Sequence, residues 1–389
     1  MFVKKSVLVI CSICLVIVTA LAVVMAVNPF GALHFGDFLK FGTGIGALRH
    51  YYYEEIDSEK LLDGALMGAA YSVEDPYTVY MGKEAAESFM ESVESDDYTG
   101  VGLYISNDSE DNRVTVVSPL SDSPAEVAGI VTGDKILEVD GQPVSGENID
   151  EVASKMKGPA GTQVKLKVLK RTTGKTVELE LTRANIKRET VSSKILDDNV
   201  GYLQITQFGV NTASEFAQHF NNLTDEGMSS LVVDLRNNPG GYMEMAVEIA
   251  DFFIEEGKIV YTLNKHGEER IYEATKGATE VPMVILTNEG SASASEILVG
   301  AMKDYGLAKV VGEKTYGKGV TQIPYPLYDG SILKITDSRY YTPSGVCIDK
   351  EGIEPDIVVD MDDEDYYSLT EPSIEDDAQL KKAVEVLVK

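Results

Sequence analysis

Three serines alternate with alanines in NEGSASASE: Ser291, Ser293 and Ser295, where an apolar run (VPMVILT, 281–287) gives way to a helical pattern. A serine on a strand-to-helix turn presents its hydroxyl at a helix N-terminus, where unpaired N–H groups and the helix dipole favour a developing oxyanion. That is the chemistry of a nucleophile elbow, although the GxSxG pattern is absent. Local physics does not choose among the three serines, because a serine in such a turn also serves as a cap. A serine nucleophile needs a base. The four histidines, His34, His50, His219 and His266, are scattered, and none sits in a stretch that reads as a catalytic loop. A lysine substitutes where burial and surroundings lower its pKa enough to leave it neutral part of the time. Lys318, between Gly317 and Gly319, is the candidate; the structural alternative is a surface turn.

The same lysine lies in GEKTYGKG (312–319), which matches the spacing of a phosphate-binding loop. Such a loop needs Ser or Thr after the lysine and a helix beyond it. Here Gly319 follows, and then VTQIPYPL, which reads as extended chain. The nucleotide reading fails on both counts. A formal net charge of −29 over 389 residues also argues against nucleic acid as a partner. Cys11 and Cys14 fall in one apolar run and Cys347 stands alone, so neither a disulfide framework nor a metal cluster is expected. No cofactor is expected either.

That apolar run, residues 6–27, follows Lys4 and Lys5 and carries no charge. Its length and flanks predict an N-terminal transmembrane helix with the rest of the chain outside the cytoplasm, a single-pass protein of the cell membrane. A cleaved signal peptide, leaving a secreted protein, is the other reading. Residues 50–95 carry helical patterns on either side of the turn DPYT (75–78). From Thr99 to about Thr182 short strands and two short helices alternate, an arrangement that resembles a PDZ domain. Its GVGL turn, Gly100, Val101, Gly102 and Leu103, matches the loop that captures a peptide's terminal carboxylate. From about 185 to 358, apolar strands alternate with helices, the pattern of an α/β core. The acidic run DMDDEDYY that follows lacks the glycine and ligand spacing of a calcium loop.

Taken together, DPYT, GVGL with SPAEVAGIVTGDKILEVDG, YLQITQF, DLRNNPGG, NEGSASASE, GEKTYGKGVTQ and RYYTPSG with GIEPD resemble the carboxyl-terminal processing peptidases, in that family's order. The resemblance implies an α/β fold, a peptidase core with mixed α/β layers interrupted by an inserted β-rich PDZ domain. The expected domains are a membrane anchor or signal segment (1–28), a helical segment (45–97), the PDZ domain (98–183), the peptidase core (184–358) and an acidic extension with a terminal helix (359–389). Carried over residue by residue, it places the nucleophile on Ser293, the general base on Lys318 and the lysine-orienting amide on Gln322. It places the oxyanion donors at Ala294 and Gly240. On a strand, residues four apart share a face, so Gln322 could reach back to the amine. Asp234 and Arg236 read as braces of the NPGG turn, Ser291 and Ser295 as turn and cap residues, and Glu296 as a first-turn acid favoured by the dipole. The implied activity is a serine endopeptidase acting on proteins with accessible C-terminal tails. The rival is a catalytically silent, membrane-anchored PDZ scaffold that binds peptide C-termini. Helical segments near both ends of the exported part raise the expectation of a homodimer.

Overall fold

The computed structural model describes residues 15–16, 18–19, 34–94, 98–108, 111–120, 123–186, 189–275, 278–361 and 373–388. The chain divides into two compact units, Met1–Gly82 and Lys83–Lys389. In the first, α1 (Phe35–Tyr51) and α2 (Ser58–Tyr71) precede a short strand, β1 (Val79–Met81). Asp57 caps α2 by accepting the Glu59 N–H at 2.9 Å. Asp75 closes the DPYT turn by accepting the Thr78 hydroxyl at 2.6 Å, and the Tyr80 hydroxyl donates to Asp63 at 2.6 Å, tying β1 to α2.

The expected transmembrane helix is corrected here. Among the described residues no helix is long and apolar enough to cross a membrane. Of residues 6–27, only Leu15, Val16, Val18 and Thr19 are described. The helix that follows, α1, has 17 residues and carries Asp37, Lys40 and Arg49, too short and too charged to span. The single-pass topology, the membrane partner and the extracytoplasmic placement built on that helix are withdrawn with it.

The second unit opens with α3 (Lys83–Glu94) and β2 (Tyr98–Gly100). Then come β3 (Leu103–Asp108), β4 (Arg113–Pro119), α4 (Pro124–Val127), β5 (Lys135–Val139), β6 (Gln142–Pro143), α5 (Ile149–Met156), β7 (Gln163–Leu169), β8 (Thr176–Thr182) and β9 (Ala184–Ile186). Strands β3-β4-β5-β7-β8 form an antiparallel sheet in that order, with β6 on β5. Period-two alternation fills its core: Val164, Leu166 and Val168 of β7 are buried while Gln163 and Lys165 face out. β2 pairs antiparallel with β9, so the chain enters and leaves this β-rich insertion through one two-stranded ribbon.

The rest runs β10 (Val191–Ile195), β11 (Val200–Ile205), α6 (Thr212–Asp225), β12 (Ser230–Asp234), α7 (Met243–Asp251), β13 (Gly257–Asn264), β14 (Glu269–Ala274) and β15 (Met283–Thr287). It continues through α8 (Ala294–Asp304), β16 (Ala308–Gly312), β17 (Val320–Pro326), β18 (Ile332–Tyr341), β19 (Ile357–Val358) and α9 (Ala378–Leu387). The main sheet has the order β10-β11-β12-β15-β16-β19, parallel from β11 onward. β12 and β15 are buried at every position because both sheet faces are covered. Leu231, Val233 and Ile285 face a core shared with α6, α7 and α8; Val232, Val284 and Leu286 face Leu380, Ala383 and Val384 of α9. The terminal helix is thus a layer of the core. Its apolar face is spent on its own sheet, and the expected homodimer through the terminal helices has no support. Residues 362–372 of the acidic run lie outside the described residues. β13 pairs antiparallel with β14 and with β18, and β18 with β17.

Candidate active site

The loops that leave the C-terminal ends of β12, β15 and β16 carry Gly240, Ser293 and Lys318, the edge at which open parallel sheets place their sites. The β15 loop separates its three serines. Ser291 and Ser295 are fully buried, and their hydroxyls are committed: Ser291 donates to Leu235 O at 2.8 Å and Ser295 to Asn238 O at 3.0 Å. Both brace the β15 loop against the β12 loop. Ser293 is half-buried at the head of α8, with φ 56° and ψ −114°. A non-glycine residue in such backbone costs about 1–3 kcal/mol and persists only where its surroundings over-determine it.

Two buried side chains supply that determination. The Glu296 carboxylate, wholly inaccessible, accepts four hydrogen bonds. Oε2 takes the backbone N–H of Ser293 and that of Lys318, each at 2.9 Å; Oε1 takes the Gly317 N–H at 2.7 Å and the Thr315 hydroxyl at 2.6 Å. Tyr340, on β18 and 1% exposed, directs its hydroxyl at the carbonyls of the same two residues: to Ser293 O at 3.1 Å, and to Lys318 O. Ser293 and Lys318 are therefore each held on both sides, by one carboxylate at the N–H of the preceding peptide group and by one phenol at the C=O of the following one. The glycines flanking Lys318 also find their reason. A Cβ on Gly319 would meet Asp349 N at 2.3 Å, and one on Gly317 (φ 89°) would meet Gly352 N at 2.9 Å. The lysine loop lies flat against segment 349–352, and Lys318 itself is half-buried.

On the β12 side, the NPGG turn brings Gly240 (φ 97°) against the serine: a Cβ there would sit 2.7 Å from Ser293 Cβ and 2.9 Å from Ala294 N. Only glycine fits. The Gly240 N–H donates to Asn238 Oδ1 at 2.9 Å, while Asn238 Nδ2 donates to Ile205 O at 2.8 Å. Arg236 braces the turn from below with charge-assisted bonds to Asp234 (2.6 Å) and Asp377 (2.8 Å). Burial opposes its charge, but the two carboxylates outweigh that and raise its pKa. Gln322 does not meet the lysine. A bulge between Thr321 and Gln322 interrupts the alternation of β17, and the amide donates to Val320 O (3.3 Å) and Thr336 Oγ1 (3.5 Å). A cleft of about 660 Å³ opens beside these loops, lined in part by Asn237, Gly290, Thr315 and Tyr316. Among the described residues no cluster able to hold a metal ion is present.

In the β-rich insertion, the loop after β2 ties its carbonyls inward. Val101 O accepts the Ala125 N–H (2.9 Å), and Gly102 O accepts the Leu120 N–H (3.0 Å) and the Ser123 hydroxyl (3.1 Å). In a planar trans peptide N–H opposes C=O, so the N–H groups of Gly102 and Leu103 face away from these bonds. Gly102 has φ 77°, and a Cβ on it would lie 2.2 Å from Ser123 Cβ.

Sequence reasoning missed Glu296 as an anchor, Tyr340 and Asn238. Ser293-x-x-Glu296 has the spacing of a capping box, a signal that could have found the carboxylate. Nothing local marks the other two.

A serine in strained backbone at a helix head, at the C-terminal edge of a parallel sheet, is the arrangement that serine hydrolases of the α/β class use for a nucleophile. Residues 199–359 match the peptidase family S41, residues 115–170 a PDZ domain, and residues 32–85 the N-terminal domain of the activating protease CtpB. The carboxy-terminal processing proteases CtpA and CtpB of Bacillus subtilis are 36% and 37% identical over 84% and 82% of this chain. A probable CtpA-like serine protease of Staphylococcus aureus is 38% identical over 79%. The chain spans 70%, 66% and 62% of the lengths of these three relatives. The solved photosystem II D1 C-terminal processing protease superposes with a TM-score of 0.52 at 31% identity, over 82% of this chain and 86% of that one. The chain belongs to peptidase family S41, with an internal PDZ domain, among the carboxy-terminal processing peptidases. Its activity is that of a serine endopeptidase of the C-terminal processing type, acting on substrates with accessible C-termini, and the silent-scaffold reading falls.

Proposed function

We propose that Ser293 is the nucleophile and Lys318 the general base, with Ala294 and Gly240 N–H as oxyanion donors, Gln322 orienting the amine, and the Gly100–Val101–Gly102–Leu103 loop receiving the substrate's terminal carboxylate. One observation carries the pairing. The backbone nitrogens of Ser293 and Lys318 both lie 2.9 Å from Glu296 Oε2, hence within twice that distance of each other, although 25 positions separate them in the chain. Elimination supports the serine, since the hydroxyls of Ser291 and Ser295 are consumed by backbone carbonyls.

In the reaction, neutral Lys318 accepts the Ser293 proton as Oγ bonds to the scissile carbonyl carbon. Ala294 and Gly240 N–H meet the oxyanion, which requires Gly240 to exchange Asn238 Oδ1 for the substrate oxygen. The carbon–nitrogen bond breaks, and the leaving amine takes the proton from the lysine ammonium. A water, giving a proton to Lys318, then attacks the ester; its collapse returns that proton to Ser293 and releases the new carboxyl end. For Gln322, orienting the amine means exchanging its present long contacts for the lysine.

The test uses the full chain with Ser293→Ala and Lys318→Ala, incubated with an unfolded polypeptide that ends in an apolar tail. Products are mapped by mass spectrometry from neutral to alkaline pH. Cleavage by the parent alone, rising with pH as the base loses its proton, is expected. Cleavage retained by Ser293→Ala would move the nucleophile elsewhere.

A further inference from the structure

The reaction as read above needs two side chains from distant parts of the chain at a fixed separation, and that begins with the placing of the backbone that carries them. Glu296 holds the N–H of each residue, which fixes the peptide group before it, but the peptide group after it, which carries the residue's C=O, can still swing. The second pin is Tyr340. Its hydroxyl reaches Ser293 O at 3.1 Å and also Lys318 O, and its own N–H donates to Gly319 O at 3.0 Å. Its ring is 1% exposed and packed within the core shared with α8, so the phenol has one place to be. Ser293 O has a second partner in the Ile297 N–H (3.1 Å), the first turn of the helix, which by itself keeps that carbonyl satisfied. The phenol is thus dispensable for helix α8, and what it adds is a tie between the helix head and the lysine loop.

We propose that Tyr340 is a positioning residue for this peptidase: its phenol hydroxyl bridges the carbonyls of Ser293 and Lys318 and, opposite Glu296, sets the distance and angle between nucleophile and base. The proposal rests on the assignment of Ser293 and Lys318. Because the hydroxyl bonds the backbone that carries the two groups, its loss is expected to act on the chemical step and to leave ground-state binding alone.

Tyr340→Phe keeps the ring and removes only the tie. With the tailed polypeptide as substrate, kcat is expected to fall about ten- to a hundred-fold, the scale of a roughly 1 Å misplacement, with KM within about two-fold. Tyr305→Phe is the matched control: its phenol also donates to a backbone carbonyl, Lys258 O at 3.0 Å, but at the far end of α8. It should leave kcat unchanged. Tyr340→4-aminophenylalanine restores a donor, with one proton for each carbonyl, and should return kcat to within about three-fold of the parent. Full kcat in Tyr340→Phe would overturn the proposal, as would equal losses in Tyr340→Phe and Tyr305→Phe. If Tyr340→Phe fails to fold, the 4-amino variant decides: parental kcat supports the tie, and a folded but slow enzyme sinks it. Ser293→Ala in the same series keeps the two readings apart, since cleavage by that variant removes the dyad itself rather than the role of Tyr340.

Discussion

The peptidase turn and the PDZ loop both present backbone amides from a glycine turn, yet they are held in opposite ways. In the PDZ loop the acceptors are tied inward, to Ala125 N, Leu120 N and Ser123 Oγ, and the Gly102 and Leu103 N–H groups are left facing away. In the peptidase turn the donors themselves are tied: Gly240 N–H to Asn238, and Ser293, Gly317 and Lys318 N–H to Glu296. A loop that binds a carboxylate can stand ready, because its ligand arrives fully charged. A loop that stabilises a transition state gains from donors fixed in place, and in the role proposed for it the Gly240 amide would have to change partner when charge develops. On the proposed roles, the carboxylate loop is preformed and the oxyanion turn is one exchange short of complete.

The sharpest way to break this contrast is Gly240→Ala. The added Cβ would collide with Ala292 O and Ser293 Cβ, each at 2.7 Å, so kcat should drop by about 10³-fold, as for loss of an oxyanion donor. Single-turnover kinetics would locate the loss in acylation. Glu296→Gln comes next. An amide can replace only part of a carboxylate that serves four donors, and kcat should fall about 10²-fold, with unfolding free energy lowered by about 3 kcal/mol in denaturant titration. Gly102→Ala tests the other region: the Cβ 2.2 Å from Ser123 Cβ displaces the loop. Its expected effect is a KM about ten-fold higher for a tailed substrate, with kcat retained at saturation.

The smallest effect is one of pH. Asp134 is buried under the PDZ sheet; burial pushes its carboxyl up, but Lys170 and the N–H groups of Val131 and Arg171 outweigh this and lower it below the ordinary 3.8. A carboxyl depressed on folding stabilises above its unfolded value, and that contribution is lost as pH falls through the folded one. Amide protection in β4 and β7, taken relative to the intrinsic exchange rate at each pH, should therefore fall as pH drops below about 4, and Asp134→Asn should flatten that dependence. The same acidification should leave the ordering of Ser293 by Tyr340 untouched.

Much of this molecule was legible in its residues. Apolar runs such as LVVDL and VPMVILT announced buried parallel strands, the period-two TQVKLKVLK announced a half-buried one, and the small-residue turn before α8 announced a serine at a helix head. Each is a local consequence of burial period or backbone freedom, which neighbours along the chain suffice to encode. What those residues left open is what depends on contacts made across the chain. That Ser291 and Ser295 spend their hydroxyls on Leu235 and Asn238 is decided where the β12 and β15 loops meet. The bulge that turns Gln322 from the lysine belongs to the pairing of β17 with β18, and the role of α9 as a core layer to the sheet beneath it. The spanning helix expected of the N-terminal apolar run is absent from the described residues, since the helix that follows it, α1, is too short and too charged to span. The sequence by itself determined which residue types meet at the strand ends and why glycines flank the lysine. Only the tertiary structure decided that Glu296 and Tyr340 hold serine and lysine by their peptide groups, because a hydrogen bond depends on distances of a few tenths of an ångström that no spacing along a chain prescribes.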